Sequence, residues 1–287
     1  MNISDLQAFI TVAEHKSFSL AAEVLFLTQP AVSKRIAALE QELGTKLFDR
    51  IGRTTDLTEA GRSLQEHAQR ILAEVEDSRR AIANLESEIK GQLKLATSHH
   101  IGLHRLPKVL KRFIQQYPDV QLDLSFMDSE QGCRAVEQGD QELALITLPP
   151  EGSTALEMIE AWTDRLVLTV SPNHPLAQEE KITPEVLARY PAILPARGTY
   201  TRNLIDQQLK LPTLNTKLET HYLETIKMMV SVGMGWSLWP DNMIEEELKP
   251  KQGSHIAVER KLGIVRHPQR TLSNAAKAFI KLVQQND

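Results

Sequence analysis

Cysteine occurs once in the 287 residues, at Cys133. A single thiol excludes an internal disulfide framework and a cysteine-rich zinc site, and it fits a reducing compartment. Its expected role is that of a small buried hydrophobe. Aromatic residues are sparse at 5%, while hydrophobic residues reach 41%, so the cores must lean on Leu, Ile, Val and Ala. No apolar run approaches the ~20 residues needed to span a bilayer, and the polar opening around Asp5 lacks a signal-peptide layout. A soluble, cytoplasmic protein with no membrane partner is expected. Excess charge of one sign is also missing, because the formal net charge is only -4. Any nucleic-acid binding must therefore rest on local positive charge. Walker loop, Rossmann glycine fingerprint, nucleophile elbow and HExxH pattern are all absent, so neither catalytic residues nor a cofactor is expected.

The length exceeds that of one ordinary domain and implies two or three units. The first of these opens with three short helical patterns. Leu6, Phe9, Ile10 and Ala13 recur at helical spacing after a cap expected at Ser4. Ser19 is the expected cap of a second helix carrying Ala21, Ala22, Val24 and Leu25, whose small alanines allow close approach by a neighbour. Thr28 caps a third helix with Pro30 in its first turn, an apolar stripe of Val32, Ile36, Leu39 and Leu43, and Gly44 at its end. This is helix-turn-helix architecture.

Gln29, Pro30, Ser33 and Lys34 lie near the start of the third helix, off its apolar stripe. Such positions reach base edges when a helix enters the major groove, where glutamine suits adenine and lysine suits guanine or phosphate. Periodicity alone is equally compatible with a solvated polar face. After this helix, Lys46–Arg50 and Arg53–Leu57 flank a turn at Ile51-Gly52, reading as a hairpin wing, and Thr58 caps a long helix beyond it. Arg35, Lys46, Arg50 and Arg53 form the local basic cluster that phosphate binding needs.

The succession Phe9, Ser17-Phe18, Ala21-Ala22, Thr28-Gln29-Pro30-Ala31-Val32-Ser33, Leu39-Glu40, Leu43-Gly44, Leu47-Phe48, Arg50, Leu57-Thr58 and Ala60-Gly61 resembles the LysR-type transcriptional regulators. The resemblance implies DNA contacts at Gln29, Pro30, Ser33, Lys34 and Arg53, and leaves open whether Lys34 reads a base or a phosphate. It implies a ligand-responsive, sequence-specific binder of double-stranded operator DNA, with a small-molecule effector and self-assembly as a homodimer or homotetramer. The alternatives are a small-molecule enzyme fused to a DNA-binding module and a solute-binding protein.

The expected fold is α/β with an N-terminal winged helix-turn-helix at residues 1–58, a long dimerisation helix at 59–89 and a two-lobed, periplasmic-binding-protein-like effector domain at 90–287. In the long helix, Leu64, Ala68, Ile71, Val75, Ser78, Ile82, Leu85 and Ile89 recur in alternating steps of four and three. That seam is expected to pair with a second chain rather than with its own domain.

From Gly91 onward, short apolar strands alternate with helices in two similar sets, which implies helix-covered sheets and a ligand cleft at strand C-termini. The resemblance implies that the chain crosses between lobes near Ala161–Asp164 and returns near Gly263–Arg266, with lobe I at about 90–162 and 266–287 and lobe II at about 163–265. Thr97, Ser98, His99 and His100, where the first strand yields to a helix, are the expected anion-binding end of the cleft. Thr147, Thr199 and Tyr222 are the other expected contacts. His100 and His104 stand four apart and raise a metal alternative, but such a pair alone is more often packing, so no metal is expected. Trp236 and Trp239 are expected to be core residues.

Overall fold

A computed structural model describes residues 1–51, 54–86, 88–209, 214–244, 248–251 and 256–285. The chain divides into two compact units, Met1–Leu85 and Glu86–Asp287. In the first, α1 (Ile3–His15) is capped by Asn2 and α2 (Phe18–Val24) by Ser17, not by the expected Ser4 and Ser19. A cap must precede the helix on extended backbone, and Ser4 and Ser19 already lie inside it. Helix α3 (Gln29–Leu43) starts at the expected Thr28, whose hydroxyl accepts the Ala31 N–H at 3.4 Å, and ends at left-handed Gly44. Leu6, Phe9, Val12, Ala21, Val32, Ile36 and Leu39 form the buried centre of this bundle.

Strands β1 (Phe48–Ile51) and β2 (Thr54–Leu57) pair antiparallel into the wing. Phe48 anchors the wing, its ring centroid 5.4 Å from that of Phe9 and 5.7 Å from that of Phe18. Helix α4 (Glu59–Ala83) follows, capped by Thr58. Its first turn passes so close to the wing that a Cβ at Gly61 would stand 2.2 Å from the Leu47 carbonyl oxygen.

The expected seam of α4 serves two purposes. Ala68 is fully buried, and Leu64 and Ile71, partly buried, pack against the winged domain's own core, so in the single chain these three serve that domain. The nearest face of α4 packs onto the small domain's core. Val75 is half-buried, while Ile82 and Leu85 are 70% and 84% exposed. The helix stops at Ala83, so Leu85 and Ile89 fall beyond it, and Ile89 packs against a core of the second unit.

The second unit begins with β3 (Gly91–Thr97), α5 (His99–His104), α6 (Leu106–Gln116), β4 (Val120–Phe126), α7 (Ser129–Gln138) and β5 (Leu143–Thr147). It continues with β6 (Glu157–Val170), α8 (Pro184–Arg189), β7 (Ala192–Pro195), α9 (Tyr200–Leu209), β8 (Thr216–Thr220), α10 (Leu223–Ser231) and β9 (Ser237–Pro240). It closes with β10 (Lys249–Pro250), β11 (Ala257–Arg266) and α11 (Asn274–Gln284).

Seven strands form one sheet in the order β10-β6-β11-β5-β3-β4, with β9 also on β6. The β3–β4 and β3–β5 pairs are parallel, as the alternating pattern implies, whereas β6 and β11 run antiparallel. Those two strands are shared by both lobes. Leu262–Arg266 pair with β5 in lobe I, while Leu166–Thr169 pair with β9 in lobe II. The strand passes from one set of partners to the other beside a register shift between Leu262 and Gly263. A Cβ on Gly263 would stand 2.2 Å from the Ile159 carbonyl oxygen, so the crossing needs glycine. Strands β7 and β8 form a separate parallel pair in lobe II. Trp236 and Trp239 are core residues there, each with its indole N–H donating to backbone carbonyls.

Candidate DNA-reading face and ligand cleft

On α3 the buried stripe of Val32, Ile36 and Leu39 turns Gln29, Pro30 and Lys34 to solvent, with Ser33 half-buried beside them. Gln29 Nε2 donates to Ser33 Oγ at 2.9 Å, one helical turn on, which holds the amide along the exposed face. Arg35 is half-buried and Nη1 donates 3.2 Å to the Ser4 carbonyl, so part of its role is to join α3 to α1. Lys46 pairs with Glu40 at 2.6 Å. Arg50 takes its place in β1 opposite Thr55. Arg53 lies outside the described residues.

In the second unit the N-terminal ends of α5, α7, α9 and α10 converge on a cleft lined by residues of both lobes. Of the expected contacts, Ser98, His99, His100, Thr147 and Thr199 line it. Thr97 does not: its side chain is fully buried and its hydroxyl donates 2.9 Å to the Leu145 carbonyl, one strand over in the sheet. Tyr222 does not line it either: the ring is 50% exposed and stands edge-on to His99 with centroids 4.9 Å apart. Thr199 is half committed to structure, donating to the Ala196 carbonyl at 2.8 Å and accepting the Arg202 N–H at 3.2 Å. Ser98 precedes α5 without a side-chain cap bond and lines the cleft.

The sequence reading missed Asp128, Ser129, Glu130, Thr201 and Arg260, which also line the cleft. Asp128 and Ser129 follow β4 as Ser98 follows β3, and the same strand-end rule applied there finds them. Arg260 left no such signal, because a charge inside a strand reads as an outward-facing position. Here it is 4% exposed, and its partner Asp164 on β6 is 1% exposed. Arg260 Nη2 donates to Asp164 Oδ2 at 2.9 Å and Arg105 Nη2 to Asp164 Oδ1 at 2.7 Å. Burial alone would raise the Asp164 pKa, but His100, Arg260 and Arg105 overcome it and hold the carboxyl well below the usual range. Burial lowers the Arg260 pKa, against the opposing pull of Asp164. His100 is pushed down by burial, although Asp164 Oδ2 lies 3.5 Å from its Nε2. Two guanidiniums share one carboxylate beside the His100 imidazole, and of the two only Arg260 lines the cleft.

Contacts also cross the cleft. His221 Nδ1 lies 2.9 Å from Asp128 Oδ2, and the Tyr200 N–H donates to Glu130 Oε1. Cys133 is buried nearby, and burial raises its thiol pKa, the opposite of what a thiolate sensor needs.

Comparison with known proteins covers both units. Residues 3–62 match the family model described as bacterial regulatory helix-turn-helix protein, lysR family, and residues 86–287 match the LysR substrate binding domain. A probable RuBisCO transcriptional regulator of Thalassiosira pseudonana is 33% identical over 291 residues, covering 96% of this chain and 94% of that protein. A full-length OxyR variant of Pseudomonas aeruginosa superposes with a TM-score of 0.71 at 22% identity, over 99% of this chain and 94% of that one. Full-length CbnR, solved with its target DNA, gives 0.64 at 19% identity over 100% of both chains. No helix among the described residues is long and apolar enough to cross a membrane.

Proposed function

The chain belongs to the LysR family and is a DNA-binding transcriptional regulator with a substrate-binding domain, not an enzyme; from that premise we propose how it reads DNA and what it senses. Gln29, Pro30, Ser33 and Lys34 enter the major groove, with Gln29 reading a base edge and Lys34, Arg50 and Arg53 holding phosphates. The free face of α3 supports this reading, since nothing else among the described residues of the first unit uses it. The protein works in the cytoplasm as a homodimer joined through the exposed end of α4, with pairs of dimers forming tetramers.

The effector is a small carboxylate bearing hydroxyl or amino groups. The observation that carries this is the polarity of the cleft: Arg260 lies at its floor, while Asp128 and Glu130 face in from the wall. Ser98, Ser129 and Thr147 supply neutral hydrogen-bonding groups between those ends. A hydroxy or amino acid satisfies both ends, whereas a simple anion leaves the acidic wall unmatched. Binding shifts the population between open and closed lobes and thereby the affinity for the operator.

The test is a thermal-shift screen of the full chain against hydroxy acids, amino acids, simple carboxylates and polyols. A ligand at 100-fold its dissociation constant adds about 2.7 kcal/mol of stability. Selective stabilisation by hydroxy or amino acids, reduced by Ser98→Ala or Ser129→Ala, is the expected result. Equal response to simple carboxylates, or none to any of the classes, overturns the assignment of ligand class.

A further inference from the structure

His100 and His104 lie one turn apart on α5, with ring centroids 5.2 Å apart. Across the cleft, α10 of lobe II presents Glu224, whose Oε1 is 3.0 Å from His104 Nε2. One ring nitrogen from each histidine and one carboxylate oxygen lie within 4.8 Å of one another.

His104 and Glu224 are each about a third exposed (37% and 37%), and an ordinary ion pair accounts for both. It does not account for His100. That side chain is 8% exposed, Nδ1 has no hydrogen-bond partner, and Nε2 has only the Asp164 carboxylate, at a long 3.5 Å. Burying an imidazole with its polar atoms unsatisfied is costly, and a bound cation is one way to recover that cost. The Asp164 carboxylate beside the ring, 3.5 Å from Nε2, matches the outer partner that metal-bound imidazoles generally have.

We propose that His100, His104 and Glu224 form a binding site for a divalent first-row transition metal of the zinc class. Two imidazoles and one carboxylate suit zinc, cobalt, nickel or copper, whereas calcium and magnesium take oxygen-rich shells. Three protein donors leave a fourth position for water, the arrangement of an open tetrahedral zinc site. Donors on bonds of roughly 2.0–2.1 Å around a tetrahedral ion stand about 3.3 Å apart, and His104 Nε2 and Glu224 Oε1 already stand 3.0 Å apart, with all three donors within 4.8 Å. A bound ion therefore bridges α5 and α10 and fastens lobe II to lobe I. The site departs from the sequence expectation of no metal because Glu224, distant in the chain, supplies the third donor.

The test uses the full chain, stripped with a chelator and dialysed, then titrated with zinc in competition with a chromophoric chelator. Cobalt is added separately, and its visible absorption reports coordination. One zinc per chain with micromolar or tighter affinity is expected, together with cobalt bands of four-coordinate intensity. His104→Ala and Glu224→Gln, both at partly exposed positions, should each weaken zinc by about tenfold or more, since even outer partners of metal sites contribute that much. His67→Ala, an exposed histidine on α4, should leave affinity unchanged. Absence of stoichiometric zinc binding overturns the proposal. So does affinity that neither His104→Ala nor Glu224→Gln alters, because it places the metal elsewhere.

Discussion

Arg260 and Asp164 are register partners on neighbouring antiparallel strands, and their side chains meet at 2.9 Å in the interior of the crossing between the lobes. The two strands that join the lobes thus carry a buried ion pair where they pass from one to the other.

Breaking that pair should be costly. Asp164→Asn leaves the buried Arg260 charge without its counter-ion, and removal of one partner of a buried pair typically costs about 3–5 kcal/mol. Urea unfolding of the full chain checks this. The double variant Asp164→Leu, Arg260→Met should lose less than Asp164→Asn alone, because Arg105 is partly exposed and can turn its charge to water. Equal losses in the two variants would show that the pair is not energetically coupled.

Acid sensitivity should follow from His100. Burial depresses its pKa in the folded chain below the ordinary value of 6.5. The unfolded chain therefore binds the proton first as pH falls, and stability drops below about pH 6.5 by linkage. The same sign applies to His174, also pushed down by burial. The charged groups around His100 are Asp164, Arg260 and, on its own helix, His104; Asp164 stays ionised throughout this range. His100→Gln should flatten the fall in stability between about pH 7 and pH 5 relative to the wild type. An unchanged slope would remove His100 as its source.

Base reading by Gln29 has its own signature. Gln29→Ala should relax preference at one operator position, losing about 1–3 kcal/mol of discrimination there. Lys34→Ala should instead weaken binding to all sequences and shallow the salt dependence if it serves phosphate. Binding across a panel of operator variants at two salt concentrations separates the two roles.

Self-association should respond to the exposed end of the long helix. Ile82→Asp with Leu85→Asp should lower the mass found by light scattering while leaving the winged domain folded, because both side chains are solvent-facing in the single chain. Ile71→Asp is expected to act differently, by destabilising the domain into whose core it packs. A wild-type mass for the double variant would move the chain-pairing surface away from this end of α4.

Local patterns in the first sixty residues carried the DNA-binding unit almost completely. Thr28, Pro30 and Gly44 mark the ends of α3 by rules that act within a few residues, and the apolar stripe determines which face is left free. The alternation of strand and helix after Gly91 likewise gave the class of the second unit, and the end of β3 pointed to Ser98, His99 and His100.

What a helix face packs against is not a local property. Ala68 and Ile71 repeat with the seam, yet in the single chain they pack against the winged domain. Thr97 and Ser98 are adjacent and both hydroxylated, but strand alternation turns one into the sheet, onto the Leu145 carbonyl, and leaves the other at the cleft. Asp164 with Arg260, and His104 with Glu224, are separated by about a hundred residues and meet only through sheet register and lobe packing. The sequence by itself determined the elements, the family and which face of α3 is left free, because those depend on short-range spacing. Tertiary structure alone decided which charges are buried together, because burial is a property of the packed whole.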